Sequence, residues 1–256
     1  MRDLALAFGP KRDTHMKLLI VEDDQFHAHF MLDAVSEALP EVSEITHIAD
    51  GGEGEAEACS GAYPAVVLDL QMPSRNGVEA ARTIWAKQPE TRILFWTNYA
   101  DEAYLRGISK IVPTESAYGY VLKTASTSRL HLALRAVLIE GQIMVDREVH
   151  RFQQRAITPR DALTDSEYNV LIDLALGITD KAIADRRAMS LRSVQNRLIS
   201  LYQKLGIEDD VTGASLINKR TRAINRALVT RTLNVETLVA AERELAQWYR
   251  SALGKP

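Results

Sequence analysis

The sequence predicts an α/β protein, a five-stranded, doubly wound parallel sheet followed by an all-α helix-turn-helix domain. Two observations carry this. Between Lys17 and Leu122, five short apolar runs rich in β-branched and aromatic residues alternate with longer helical stretches, the pattern of a parallel sheet covered on both faces. After about residue 150 the strand signal stops, and Thr164 to Gly206 reads as consecutive helices with turn signals at Gly177 and Ser190.

The strands are read as Lys17–Val21, Glu44–Ala49, Ala65–Leu68, Arg92–Trp96 and Tyr118–Leu122. With 256 residues the chain accommodates two domains, each able to bury its own core. We divide it into an N-terminal extension (1–15), an α/β domain (16–146), a polar linker (147–158) closed by Pro159, a helical domain (159–207) and a C-terminal helical extension (208–256). The extension ahead of Met16 is expected to be dispensable.

Composition excludes several classes. No apolar run approaches the roughly 20 residues that span a bilayer, and the first residues lack the pattern of a signal peptide, so a cytoplasmic protein without a membrane partner is expected. A single cysteine, Cys59, excludes an internal disulfide framework and a cysteine-based zinc cluster. Charge is divided along the chain. Residues 16–150 hold 20 acidic and 11 basic residues, a net of −9, and residues 151–256 hold 12 and 17, a net of +5. A basic half fits a polyanionic partner, and equally a solvated positive face.

Parallel sheets of this kind bind ligands at the carboxyl ends of their strands. There the first strand stops at Glu22, Asp23 and Asp24, the third at Asp69 and the fourth at Thr97, and Lys123 follows the fifth. Clustered carboxylates repel one another unless a cation sits among them. A hard divalent ion with oxygen ligands, Mg²⁺ by preference, answers that repulsion and neutralises an incoming phosphoryl group. A lysine offers a point charge to a phosphate oxygen, a threonine hydroxyl a donor to another, and Asp69 a nucleophile that forms an acyl phosphate.

Residues 16 to about 146 resemble a response regulator receiver domain, which is flavodoxin-like in fold, through MKLLIVEDD, VVLDLQMPSRNG, ILFWT and YGYVLK in family order. The resemblance implies that Glu22, Asp23, Asp69 and the backbone carbonyl of Gln71 bind Mg²⁺. It also implies that a histidine kinase phosphorylates Asp69, that Lys123 pairs with the phosphate, and that Thr97 and Tyr120 form the switch. The Met72-Pro73 turn and Gly77 match the loop after the acceptor. Three features depart. The Thr97–Lys123 interval is longer than usual, with the excess in KIVPTES (110–116), which leaves the dimer geometry open. Thr124 stands where many receivers have proline. Gln71 and Tyr99 occupy positions that in this family modulate hydrolysis, and bulky Tyr99 is expected to shield the acyl phosphate.

In the helical half, a helix with Val170, Leu171 and Leu174 on one face is closed by Gly177. A second, roughly Thr179–Arg187, and a turn at Ala188–Ser190 lead into a third ending near Leu205. Two helices joined by a short turn can present the second to the major groove of double-stranded DNA. Ser193 can donate to phosphate, Gln195 and Asn196 can pair with adenine, and Arg192 and Arg197 suit bases or phosphates. The alternative is a small helical bundle with a polar face. The segment resembles the LuxR-type helix-turn-helix of NarL- and FixJ-like regulators at Leu163, Thr164, Glu167, Val170, Leu171, Gly177, Lys181, Ile183, Ala184, Ser190, Val194, Lys204, Leu205 and Gly206. That resemblance adds Lys181 and Lys204 to the expected DNA-binding residues. Gln195 replaces a usual lysine, Arg197 a usual histidine and Arg187 a usual apolar residue.

The chain then continues beyond what that motif needs. Lys219, Arg220, Arg222, Arg226 and Arg231 lie in an acid-free stretch that can touch phosphates. Leu238, Ala241, Leu245, Trp248 and Ala252 recur at helical spacing and form either part of a dimer seam or a helix folded back on its own domain. The function expected is a response regulator transcription factor that is phosphorylated on Asp69, then dimerises and binds duplex DNA. Its rival is a phosphorylation-controlled adaptor whose helical half binds a protein. Beyond self-phosphorylation and autodephosphorylation, no enzyme is expected.

Overall fold

The computed structural model describes residues 16–61, 63–99, 101–146, 162–207 and 218–253. The expected N-terminal extension and the linker at 147–158 lie outside the described residues. Strand β1 (Met16–Val21) is central, pairing in parallel with β2 (Val42–Ile48) on one side and β3 (Ala65–Leu68) on the other. The sheet order is β2-β1-β3-β4-β5-β6, with β4 (Arg92–Thr97), β5 (Tyr118–Leu122) and a two-residue β6 (Met144–Val145). The sequence pattern yields five strands because a two-residue edge strand carries no periodicity.

Register explains why the polar residues share an edge. Val21 pairs with both Ile48 and Leu68, so β1, β2 and β3 end level with one another, while Leu68 pairs with Phe95 and β4 runs two residues further, to Thr97. Beyond each strand a polar residue turns the chain into the next helix. Asp24 caps α1 (Gln25–Ala38), Asp50 caps α2 (Gly51–Ser60), Asn76 caps α3 (Gly77–Lys87) and Ser126 caps α5 (Thr127–Leu134). Each side chain accepts a backbone N–H that the first helical turn leaves unpaired. Beneath lie the fully buried Leu18, Ile20, Leu94 and Val121, packed on Met31 and Val35 of α1 and Leu134 of α5. The turn Arg135–Ile139 continues α5, and its Leu138 and Ile139 carbonyls accept from Arg92 Nη1 at 2.8 and 2.9 Å.

The chain forms two compact units, Met1–Trp96 with Pro113–Met144, and Thr97–Val112 with Val145–Pro256. This differs from the linear division at residue 146, because helix α4 (Glu102–Ser109) belongs with the helical half. Arg106 is one of its links. Its Nη2 donates to the Leu163 carbonyl at 2.5 Å, its guanidinium lies 5.0 Å from the centre of the Tyr168 ring, and its Nε pairs with Glu102 at 2.8 Å. Thr232 Oγ1 also donates to Glu102, at 3.4 Å.

The second unit otherwise consists of α6 (Asp165–Ala175), α7 (Asp180–Arg186), α8 (Leu191–Lys204), α9 (Lys219–Val229) and α10 (Val235–Leu253). Val170, Leu171, Ile183, Val194 and Leu201 form its centre, completely buried. Gly177, at φ +75°, allows the left-handed turn between α6 and α7 that closes the first of these helices. Ala241 and Leu245 of α10 are buried in this same core, with Leu238 and Trp248 packed against it. The spacing of the C-terminal extension thus packs a helix onto its own unit.

A capping box starts α6. Thr164 Oγ1 accepts from Glu167 N–H, while the Glu167 carboxylate accepts from Thr164 N–H at 2.7 Å. That carboxylate also takes Ser200 Oγ at 2.6 Å and Lys204 Nζ at 2.8 Å, tying the start of α6 to the end of α8. Burial alone raises the Glu167 pKa, but the bonds from Lys204, Ser200 and Thr164 outweigh it and bring it from 4.5 to about 2. A depressed carboxylate contributes stability that is fully present above its unfolded value and is lost as pH falls through the folded one, here between about 4.5 and 2. Glu167→Gln should cost about 2–3 kcal/mol at pH 7 and progressively less as pH approaches 2, read by denaturant unfolding across that range.

Candidate functional site

The edge of the sheet holds a buried charge cluster. Glu22, 2 % exposed, follows β1, and Asp69, 6 % exposed, follows β3. Lys123, directly after β5, reaches between them. Its Nζ lies 2.7 Å from Glu22 Oε2 and 2.8 Å from Oε1, and 2.9 Å from Asp69 Oδ2. Asp23 is exposed at the mouth, and oxygens of Glu22, Asp23 and Asp69 lie within 4.8 Å of one another. Burial first, and then the neighbouring Asp69, push the Glu22 pKa up to about 7 against the pull of Lys123. One cation thus serves two buried carboxylates, and Glu22 Oε2 makes an ionic contact with Nζ without a directional hydrogen bond.

The backbone after β3 wraps the Asp69 carboxylate. Leu70 N–H donates to Asp69 Oδ1 at 2.6 Å and Gln71 N–H at 3.3 Å. These bonds orient the carboxylate and leave Oδ2 facing Lys123. The loop returns at Gly77, whose N–H bonds the Leu70 carbonyl at 3.0 Å. A Cβ there would lie 2.1 Å from the Asp69 carbonyl oxygen, so only glycine lets α3 start this close to the end of β3. Thr97 and Tyr120 are completely buried. The Thr97 hydroxyl accepts from Tyr99 N–H at 3.3 Å, and the Tyr99 ring lies 6.5 Å from that of Tyr104.

Two further residues at this edge were not anticipated. His27 Nδ1 lies 3.4 Å from Lys123 Nζ, and the Trp96 ring centre 5.1 Å from it. The sequence signal for Trp96 is its place at a strand end, one residue before Thr97, where a reading confined to polar residues passes over it.

In the helical unit, Lys181, Arg192, Gln195 and Asn196 are exposed. Ser190 caps α8, accepting Ser193 N–H at 3.1 Å, and so exposes the start of that helix after the turn at Ala188, where φ is +49°. Ser193 is half-buried, its hydroxyl 2.9 Å from that of Ser190. Arg197 is turned inward, donating to Ser166 Oγ at 2.5 Å and to the Ser193 carbonyl at 3.1 Å. Lys204 differs from expectation. Its ammonium donates to Glu167 and to the Ala162 carbonyl at 2.9 Å, so it braces the fold. Of the basic residues further on, Arg220 pairs with Asp180 and Arg231 lies 3.5 Å from Asp101, whereas Arg222 and Arg226 are exposed.

Arg187, the departure before the turn, also has a reason. Asp173 of α6 is completely buried, and its carboxylate receives Arg186 Nη1 at 2.7 Å, Arg187 Nε at 2.6 Å and Arg187 Nη2 at 2.9 Å. A buried carboxylate requires such partners, and an apolar residue at 187 would remove two of three donors. An acid inside the apolar run VLIDLAL was the available signal.

Residues 18–135 match the response regulator receiver domain family. The chain is 28 % identical over 200 residues to the DNA-binding transcriptional activator DevR/DosR of Mycobacterium tuberculosis, covering 75 % of this chain and 89 % of that protein. It is 25 % identical over 219 residues to the transcriptional regulatory protein LiaR of Bacillus subtilis, 82 % of this chain and all of that one. In fold it resembles RcsB from Salmonella enterica serovar Typhimurium bound to promoter P1flhDC in the presence of phosphomimetic BeF3−, with a TM-score of 0.57 at 20 % identity over 86 % of this chain and 100 % of that one. A structure of two RcsB dimers bound to two parallel DNAs gives 0.55 at 21 % identity, over 84 % and 98 %.

Removing the carboxylate at 173 strands two guanidinium groups beside an apolar core. Asp173→Ala should destabilise the helical unit by about 3–5 kcal/mol in urea unfolding, far more than substitution of the exposed Asp185.

Proposed function

We propose that this chain, which carries a response regulator receiver domain and is homologous over most of its length to NarL/LuxR-type regulators, is a cytoplasmic transcription regulator switched by phosphorylation of Asp69. The observation that carries the proposal is the position of Asp69, its Oδ2 held 2.9 Å from Lys123 at the carboxyl edge of a parallel sheet, with Glu22 and Asp23 alongside.

The chemistry follows from the residues. One Asp69 carboxylate oxygen attacks phosphorus as the bond from phosphorus to a histidine nitrogen of the kinase breaks, and that nitrogen keeps the electron pair. The product is an acyl phosphate. Lys123, held between Glu22 and Asp69, is placed to meet the arriving negative charge, and the Thr97 hydroxyl can donate to a phosphoryl oxygen. Glu22, Asp23 and Asp69, with the Gln71 carbonyl, would hold Mg²⁺. Three oxygen donors this close, one of them forced up to about pH 7, fit a hard divalent cation. Bound there, the ion neutralises charge on the phosphoryl group in transfer.

Thr97 begins the segment that is compact with the helical unit, and Arg106 of α4 is bonded to Leu163 and packed on Tyr168 of that unit. A change at Thr97 therefore has a direct route to the output helices. The output is duplex DNA binding through the start of α8, with Arg192, Ser193, Gln195 and Asn196 toward the groove and Lys181 toward phosphate, by a homodimer of the phosphorylated chain.

Millimolar Mg²⁺ should raise the melting temperature of the unphosphorylated chain, chelation should reverse it, and Asp23→Asn should abolish it in a thermal-shift titration. Duplex binding after treatment with acetyl phosphate should weaken linearly in log–log plots against salt, with Arg192→Ala lowering the slope by about one and Asp69→Asn losing the response to phosphate. Phosphate-dependent capture of a protein without any salt-dependent duplex binding would point to the adaptor instead.

A further inference from the structure

Lys123 is held from a second side. Trp96, the penultimate residue of β4 and 2 % exposed, turns its ring toward the ammonium, with Nζ 5.1 Å from the ring centroid. The ring is itself fixed. Phe30 of α1 lies nearly parallel to it, centroids 5.9 Å apart and planes 14° apart, and His27 meets it edge-on at 5.6 Å and 84°. The Lys123 side chain, 3 % exposed, thus ends among two carboxylates, the His27 imidazole at 3.4 Å and an aromatic ring.

The two sides differ in what phosphoryl transfer does to them. Lysine ends a flexible four-carbon stem, and its direction must come from its partners. Phosphorylation of Asp69 alters one carboxylate, and a divalent cation would draw on both. The quadrupole of an indole answers to neither, and it attracts a desolvated ammonium more strongly than a phenyl or phenol ring does. We infer that Trp96 is a positioning residue for phosphoryl transfer. Its π face holds the Lys123 ammonium in line with Asp69 while the carboxylate partners change, and Phe30 and His27 keep the ring in place. This inference rests on Asp69 being the phosphoacceptor.

Trp96 also belongs to the core around Leu18 and Leu94, so a truncation would confuse packing with electrostatics. Fluorination separates them, because it drains electron density from the indole face with little change in shape. The full chain, produced with tryptophan, 5-fluorotryptophan or trifluorotryptophan, is treated with acetyl phosphate and Mg²⁺, and the rate of phosphate incorporation is followed by intact-mass spectrometry. Chains carrying Trp96→Phe, labelled the same way, account for the two other tryptophans, Trp85 and Trp248. The rate should fall stepwise with fluorination, by about tenfold across the series, and stay flat in the Trp96→Phe chains, whose own rate lies below that of the unfluorinated parent. Equal rates across the series in correctly folded protein would overturn the inference and leave Trp96 as packing alone. If the unfluorinated parent takes up no phosphate on Asp69, the phosphoacceptor assignment itself is overturned, and the role of Trp96 with it.

Discussion

The ion pairing of Lys123 with Glu22 and Asp69 is the interaction on which the first unit's chemistry depends. Two carboxylates buried side by side are unfavourable, and a single ammonium at 2.7–2.9 Å from both makes them tolerable. The balance is incomplete, since Glu22 keeps a pKa near 7. A lysine already committed to the acceptor can follow the charge when a phosphoryl group arrives. Everything that positions these groups, from the level strand ends to the Asp24 cap and the close approach at Gly77, serves to hold charges where water cannot screen them.

The helical unit uses buried charge for a different end. Glu167 and Asp173 each sit inside a cage of donors, Lys204, Ser200 and Thr164 for one and Arg186 and Arg187 for the other. These cages join α6 to α8 and α7 and fix the angle at which the start of α8 emerges. Residues left outside the cages, Arg192, Gln195 and Asn196, are those free to meet a ligand. Net positive charge in this half is therefore partly internal bracing, which is why charge counting alone could not assign it to a partner.

Legibility followed the physics of each feature. The strands and the polar residues at their ends were readable because period and position are local properties, and Glu22, Asp69 and Lys123 do converge. The short β6 was not, since two residues hold no pattern. The grouping of α4 with the helical half is not legible because it is made by contacts far apart in sequence, among them Arg106 with Leu163 and Tyr168. Lys204 was assigned to DNA by motif position, whereas its ammonium answers a buried carboxylate that only the fold brings near. The apolar spacing in α10 fits two readings, and Ala241 and Leu245 pack into the core of their own unit. Trp96 escaped notice because its part at the site is electrostatic while its residue type reads as core.

The central claim is that Asp69 takes the phosphoryl group, and chemical trapping tests it directly. The chain is incubated with acetyl phosphate and Mg²⁺, reduced with borohydride to convert an acyl phosphate to homoserine, then digested and sequenced by tandem mass spectrometry. Homoserine at position 69 and at no other aspartate is the result the geometry predicts. Reduction at a different acidic residue, or none after phosphate has been taken up, would contradict it.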